Sequence, residues 1–387
     1  MTSVNTSRVN QSGLYSRLDD VDWDFPHSTS GNSLHSIHPY PAKFIPEIPR
    51  ELINTLGVDG DTSVLDPFCG SGVTLTEAVS AGHSSIGVDL NPIACLISRV
   101  KTNPFNDDLN EYAQHIMQTL DNYQMSQKHS NIQNLDHWFD PNIALRLSQI
   151  IQSIEALNVH SNITDALKLA ISSIIVKVSR QESDTRYAAV DNTYTTSDVM
   201  SYFSSACNNI NKHMRSILDS EPECRVLNKN ILETTPEDIN ATVGLTITSP
   251  PYPAAYEYWL YHKYRMFWLG YDPINVREKE IGARPHYFKK NPPTPSDFQE
   301  QMAHIMWLAR EVSNNSSHVC FVVGPSKIKG EIIDNAALVI SAGHQYGWKL
   351  ESHLSRSIRA SSKSFNLNHA RISDESVLIF SRGTSDV

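Results

Sequence analysis

The segment Thr62-Ser63-Val64-Leu65-Asp66-Pro67-Phe68-Cys69-Gly70-Ser71-Gly72-Val73-Thr74-Leu75 limits the fold of this chain more than any other. It reads as an apolar strand, a glycine turn and the start of a helix. Gly70 and Gly72 permit positive φ and let the backbone approach a ligand closely. Such a unit opens an α/β sheet that binds ligands beyond the carboxyl ends of its strands. Asp66 stands at that end, where its carboxylate can hold an ammonium group. A dinucleotide fingerprint needs a third glycine three positions after Gly72, and Leu75 stands there instead. The next strand, Ser84-Ser85-Ile86-Gly87-Val88-Asp89, also ends in an acid. An acid at the tip of a second strand suits two ribose hydroxyls. Taken alone, Asp89 would serve equally as a helix N-cap. Asn91-Pro92-Ile93 follows and can line an adenine face.

A second constellation closes the apolar run Val243-Gly244-Leu245-Thr246-Ile247-Thr248. It is Ser249-Pro250-Pro251-Tyr252. The prolines fix φ and carry no N–H, so the turn is stiff and presents carbonyls without a competing donor. An exocyclic amine on a nucleobase is a poor nucleophile, because its lone pair is delocalised into the ring. Ser249 Oγ and the Pro250 carbonyl can accept its protons and draw that lone pair back. Tyr252 offers a flat face for an extruded base. A strand followed by a rigid turn is the plainer alternative.

On these two segments the chain resembles the amino-group DNA methyltransferases, which use S-adenosylmethionine. A third segment, His38-Pro39-Tyr40-Pro41-Ala42-Lys43-Phe44-Ile45-Pro46-Glu47, is similar to that family's N-terminal cofactor motif. The resemblance implies a Rossmann-like, doubly wound, mostly parallel α/β sheet of the class I methyltransferase kind. It implies a cofactor site that includes Lys43, Phe44, Asp66, Phe68, Gly70, Gly72 and Asp89. Asn228 or Asn230 stands where the family commonly has an acid near the cofactor adenine, and Asn230 joins the expected cofactor set. Ser249, Pro250, Pro251 and Tyr252 are the implied catalytic residues.

In this family Ser-Pro-Pro-Tyr is most often found in enzymes that make N4-methylcytosine. The implied activity is therefore N4 methylation of cytosine in double-stranded DNA. The implied setting is a restriction–modification system, with a cognate restriction endonuclease as functional partner. N6-adenine methylation stays open, as does methylation of an exocyclic amine in RNA. A non-enzymatic binding module on the same fold is a third reading. The presence of Asp66, Gly70, Gly72, Asp89 and the whole tetrapeptide argues against it.

Methylation at cytosine C5 does not fit. That chemistry needs a cysteine nucleophile, which in its own family follows a proline. None of Cys69, Cys95, Cys207, Cys224 and Cys320 does so here. No Cys/His spacing suggests zinc, and no metal is expected. No run of about 18 apolar residues or apolar signal core is present, so a cytoplasmic setting is expected; the resemblance implies a prokaryotic cytoplasm or nucleoid. The formal charge of −10 is awkward for a DNA-binding protein, but binding depends on local fields. One basic patch is Arg284-Pro285-His286-Tyr287-Phe288-Lys289-Lys290. Another spans residues 349–371, with Arg356, Arg359 and Lys363. Arg284, Arg356, Arg359 and Lys363 are the expected DNA contacts; an ordinary solvated surface is the alternative.

The 387 residues divide into four spans. Residues 1–33, rich in Ser, Asn and Thr, read as a loose arm on which Trp23 and Phe25 can still dock. Residues 34–105 read as the cofactor half of the sheet. Residues 106–222 read as a helical insertion, serving as a target-recognition region or a lid; its Arg180–Tyr187 stretch looks loop-like. Residues 223–387 read as the catalytic half. The aromatic stretch Tyr256–Leu269 has the helical spacing of a core face, with Tyr256 or Tyr258 as alternative walls of a base pocket.

Overall fold

The computed structural model describes residues 11–26, 28, 34–42, 44–184, 186–214, 222–254, 256–358 and 374–383. Among them, seven strands form one sheet: β1 (Ser63–Asp66), β2 (Ser85–Asp89), β3 (Cys224–Asn228), β4 (Val243–Thr248), β5 (Ser313–Val323), β6 (Trp348–Ser357) and β7 (Asp374–Arg382). Their spatial order is β6-β7-β5-β4-β1-β2-β3. The five strands β5, β4, β1, β2 and β3 run parallel. β7 runs antiparallel to both β5 and β6. This is a doubly wound, mostly parallel sheet, and the strand order reverses direction between β1 and β4, where such sheets place ligands.

The longer helices are α1 (Gln11–Asp19), α2 (Glu47–Leu56), α3 (Val73–Ser80), α4 (Pro92–Thr102), α5 (Leu109–Thr119), α6 (Pro141–Ala156), α7 (Ser161–Ile175), α8 (Thr196–Met214), α9 (Pro273–Lys279), α10 (Pro295–Val312) and α11 (Asn335–Gln345). Their starts are written in the sequence. Asn91 Oδ1 accepts from Ile93 N before Pro92, and Asp140 caps α6 before Pro141. Thr294 and Asp297 form a capping box at α10.

The sheet is covered on both faces, which is why its central strands are nearly all apolar. Val64, Leu245, Ile247, Val322 and Ile379 face a cluster containing Leu18 of α1 and Ile48 and Leu52 of α2. Leu65, Val319, Phe321 and Phe380 face Met302, Met306 and Val339 of α10 and α11. The first cluster corrects the expectation of a loose arm within residues 11–26. Trp23 is 4% exposed and its indole N–H donates to the Leu18 carbonyl at 2.9 Å.

Helices α5 to α8 join α4 and the segment Trp259–Val276 in one continuous apolar core, through Leu96, Leu147, Ile171, Phe203 and Trp268. Within this span the strands Gln181–Ser183 and Arg186–Ala189 pair as an antiparallel ribbon where a loop was expected. No helix among the described residues is long and apolar enough to cross a membrane.

Candidate active site

β1 and β4 are hydrogen-bonded neighbours, with Leu65 opposite Thr246. Their carboxyl ends therefore emerge side by side. Thr248 Oγ1 donates to Asp66 Oδ1 at 2.8 Å, and the Phe68 N–H donates to the same oxygen at 3.1 Å. Burial pushes the Asp66 carboxyl up to about 6, against the opposing pull of these hydrogen bonds. Asp89, at the tip of β2, accepts from Gly70 N at 2.9 Å and Asn91 N at 2.8 Å. Burial raises it as well, to about 6. Gly72 adopts φ +74°, and a Cβ there would lie 2.7 Å from Ser98 Oγ. Only glycine lets the turn sit this close to α4.

The Ser249–Tyr252 turn is braced from two sides. Gly282, at φ +74°, has no room for a Cβ, which would lie 2.7 Å from the Tyr252 carbonyl oxygen. The Ala254 N–H donates to the Gly282 carbonyl at 2.9 Å. On the other side, the Tyr252 hydroxyl donates to Glu375 Oε1 on β7 at 2.8 Å and lies 3.5 Å from Ser249 Oγ. Glu375 Oε2 accepts from Arg356 Nη1 at 3.0 Å.

Between the two turns lies a cleft enclosing about 930 Å³ of non-protein space, open solvent included. Its wall contains Asp66, Gly70 and Asp89 from the cofactor side and Ser249 and Pro251 from the tetrapeptide. Two residues that sequence reasoning left out complete it. Tyr40 stacks on Tyr258, with ring centroids 5.9 Å apart, and both line the cleft. Glu280 also lines it, 7% exposed, and accepts from the N–H groups of Tyr258 at 3.0 Å and Trp259 at 2.7 Å. Burial raises the Glu280 carboxyl to about 8, with Asp89 among the groups that raise it.

A Gly turn, two acid-tipped strands and the corner at Ser249 and Pro251 thus share one cleft. Residues 5–99 match the DNA methylase family. The type II methyltransferase M.MjaII of Methanocaldococcus jannaschii is 36% identical over 91 residues, 22% of this chain and 17% of that protein. M.MvaI of Kocuria varians is 30% identical over 175 residues, 42% of this chain and 37% of that protein. M.BsoBI of Geobacillus stearothermophilus is 24% identical over 284 residues, 65% of this chain and 55% of that protein. The chain therefore matches less than two thirds of each of these relatives.

Within this cleft the donor set fits S-adenosylmethionine. Two carboxylates oppose a cationic ligand, and the Phe68 and Tyr40 rings supply apolar wall. Of the expected cofactor residues, Phe44, Asp66, Phe68, Gly70, Asp89 and Asn230 line the cleft. Asn230 also caps the short helix Ile231–Glu233, accepting from Leu232 N at 3.1 Å. Gly72 lies behind the wall against Ser98, and Lys43 falls outside the described residues. Of the tetrapeptide, Pro250 is buried and Tyr252 does not line the cleft. Tyr252 packs on the core beside α10, tethered by its hydroxyl, rather than presenting a free face to a base.

The expected DNA contacts separate. Arg284 is exposed, with its guanidinium 5.7 Å from the ring centre of Phe288, itself 76% exposed. Arg356 does not suit a phosphate contact: it is 9% exposed and already paired with Glu375. The described part of the patch that suggested it, residues 349–358, is nearly all β6, an edge strand of the sheet. Arg359 and Lys363 fall outside the described residues.

Proposed function

We propose that this chain transfers a methyl group from S-adenosylmethionine to an exocyclic amine of a base in double-stranded DNA. The base is cytosine, methylated at N4, and the setting is the modification arm of a restriction–modification pair. The observation that carries this reading is the Thr248–Asp66 hydrogen bond at 2.8 Å. It sets Ser249 at the edge of the same cleft as the Gly70 turn and Asp89.

When bound, S-adenosylmethionine supplies an electrophilic methyl group. Asp66 would hold its ammonium group and Asp89 its ribose hydroxyls, with Phe68 and Asn230 alongside. Ser249 Oγ and the Pro250 carbonyl accept the amine protons of a base rotated out of the duplex. With its lone pair localised in this way, the amine nitrogen would be nucleophilic toward the methyl donor held beside Asp66, with no covalent bond to the protein. Tyr252 serves by bracing the turn through Glu375, and the Tyr258 ring at the cleft wall is the nearer stacking surface. Arg284, Lys289 and Lys290, whose side chains are exposed, would meet phosphates.

The test is incubation of the full chain with labelled S-adenosylmethionine and either duplex DNA or transfer RNA, followed by sequencing that separates 4-methylcytosine from 6-methyladenine. Label in DNA as 4-methylcytosine at a fixed sequence is expected. 6-Methyladenine would reassign the base, label in RNA would reassign the polymer, and no label in either would overturn the reading.

A further inference from the structure

The ribbon formed by Gln181–Ser183 and Arg186–Ala189 is too exposed to be explained by packing alone. One of its faces is firmly held. Tyr187 stacks on Tyr264 with ring centroids 5.9 Å apart and planes within 5°. Its hydroxyl donates to the Tyr264 hydroxyl at 2.7 Å and accepts from Lys263 Nζ at 3.0 Å. Trp138 lies 4.6 Å from the same ring. Asp184 accepts from Arg265, a fully buried residue that also donates to the carbonyls of Ser172 at 3.1 Å and Tyr261 at 3.0 Å. These contacts fix the ribbon to the segment that follows the Ser249 turn, whose Tyr258 lines the cleft.

Much of the rest of the ribbon lies toward solvent. Glu182, Arg186, Ala188 and Ala189 are exposed, and the Arg186 side chain is 74% exposed. Arg186 Nη1 donates to Glu182 Oε1 at 2.7 Å, so a donor fork and an acceptor stand side by side. The small side chain of Ala188 leaves the ribbon's surface shallow. A two-stranded ribbon fits the width of the major groove. In that groove guanine presents two acceptors, which suit arginine, and cytosine presents an amine donor, which suits glutamate. The Arg186–Glu182 pair carries the complement of one G·C edge. A strap that only covered the Trp138–Tyr264 aromatic cluster would need Tyr187 and Asp184 but not this outward pair.

We infer that this ribbon enters the major groove of duplex DNA beside the methylated base, and that Arg186 and Glu182 read one G·C pair there. The inference rests on the DNA reading above and adds the element that selects the sequence. Its anchoring through Tyr187 and Arg265 sets a constant offset between the pair that is read and the base that is rotated out.

The test uses the full chain, S-adenosylmethionine and a library of random duplexes, sequenced for methylated positions. The wild type is expected to require G·C at one fixed offset. Arg186→Ala should relax the choice at that offset alone and raise the KM for DNA about tenfold, with the Kd for S-adenosylmethionine unchanged. Arg186→Lys keeps the charge but loses the fork, so it should relax the same position while preserving the salt dependence of binding. Arg186 is a surface residue, so neither variant threatens folding. Unchanged site preference and KM in both variants would overturn this inference and leave the DNA reading standing. A wild type that methylates no duplex would overturn both.

Discussion

The Tyr252 hydroxyl donates to Glu375 at 2.8 Å, tying the Ser249 turn to a strand 123 positions away. Burial and the Glu375 charge hold the Tyr252 phenol well above its ordinary range, so it remains a donor throughout the neutral range. Tyr252→Phe removes this tether and leaves Glu375 paired with Arg356 alone. Stability should fall by about 1–2 kcal/mol, and kcat should fall with it because the turn is no longer held. Thermal melts and steady-state rates test the pair of effects; wild-type turnover in the variant would refute the bracing role.

Arg356→Ala should act through the fold rather than through DNA. It leaves the Glu375 charge with only the Tyr252 hydroxyl in a nearly dry position, with the two side chains of the lost pair only 10% and 13% exposed. A loss on the order of 3 kcal/mol is expected in denaturant titrations. The slope of DNA affinity against salt should match the wild type. A flattened slope with intact stability would restore Arg356 as a phosphate contact.

Ser249→Ala and Asp89→Ala should divide the two halves of the cleft. Removing the Ser249 hydroxyl should lower kcat by about two orders of magnitude while leaving the Kd for S-adenosylmethionine within about twofold. Removing the Asp89 carboxylate should weaken that Kd by about tenfold to a hundredfold. Calorimetry and single-turnover rates on both variants check the division. Equal effects of both substitutions on both quantities would contradict it.

Affinity for S-adenosylmethionine should depend on pH through the two raised carboxyls, both near 6. A carboxyl raised by folding adds stability while protonated, and that contribution is lost as pH rises through its folded value. A cationic ligand favours the ionised form and lowers both values again. Binding should therefore release protons near pH 6, tighten as pH rises through that value, and level off above about pH 7. Titrations in buffers of different ionisation enthalpy measure the release. Affinity that is flat across this window would remove the carboxylates from the ligand site.

The parts of this architecture legible in the sequence are those whose chemistry is local. β1, β2 and β4 are buried on both faces and read as apolar runs, and each ends in a turn that glycine or proline makes recognisable. β6 hid because an edge strand mixes buried Trp348 and Arg356 with exposed Lys349 and His353, so its cations looked like a surface patch. The ribbon at Gln181–Ala189 is too short and too exposed to carry a period-two pattern. Glu280 gave no local signal, since its place in the cleft depends on α9 folding back over the short helix Tyr258–Tyr261. Tyr40 was within reach: it lies inside the motif already singled out at His38–Glu47, but only the fold stacks it on Tyr258.

The common interior that binds α5 to α8 to α4 and to Trp259–Val276 has a consequence for anyone hoping to retarget this protein by grafting. The helical block does not lift off as a cartridge. A cut at its chain ends would slice through Leu96, Phe203 and Trp268 together, exposing a greasy scar on donor and recipient alike. If the proposed DNA reading holds, a transplant meant to change the recognised sequence should therefore take the block and the aromatic segment after the Ser249 turn as one piece, or change only exposed side chains of the ribbon.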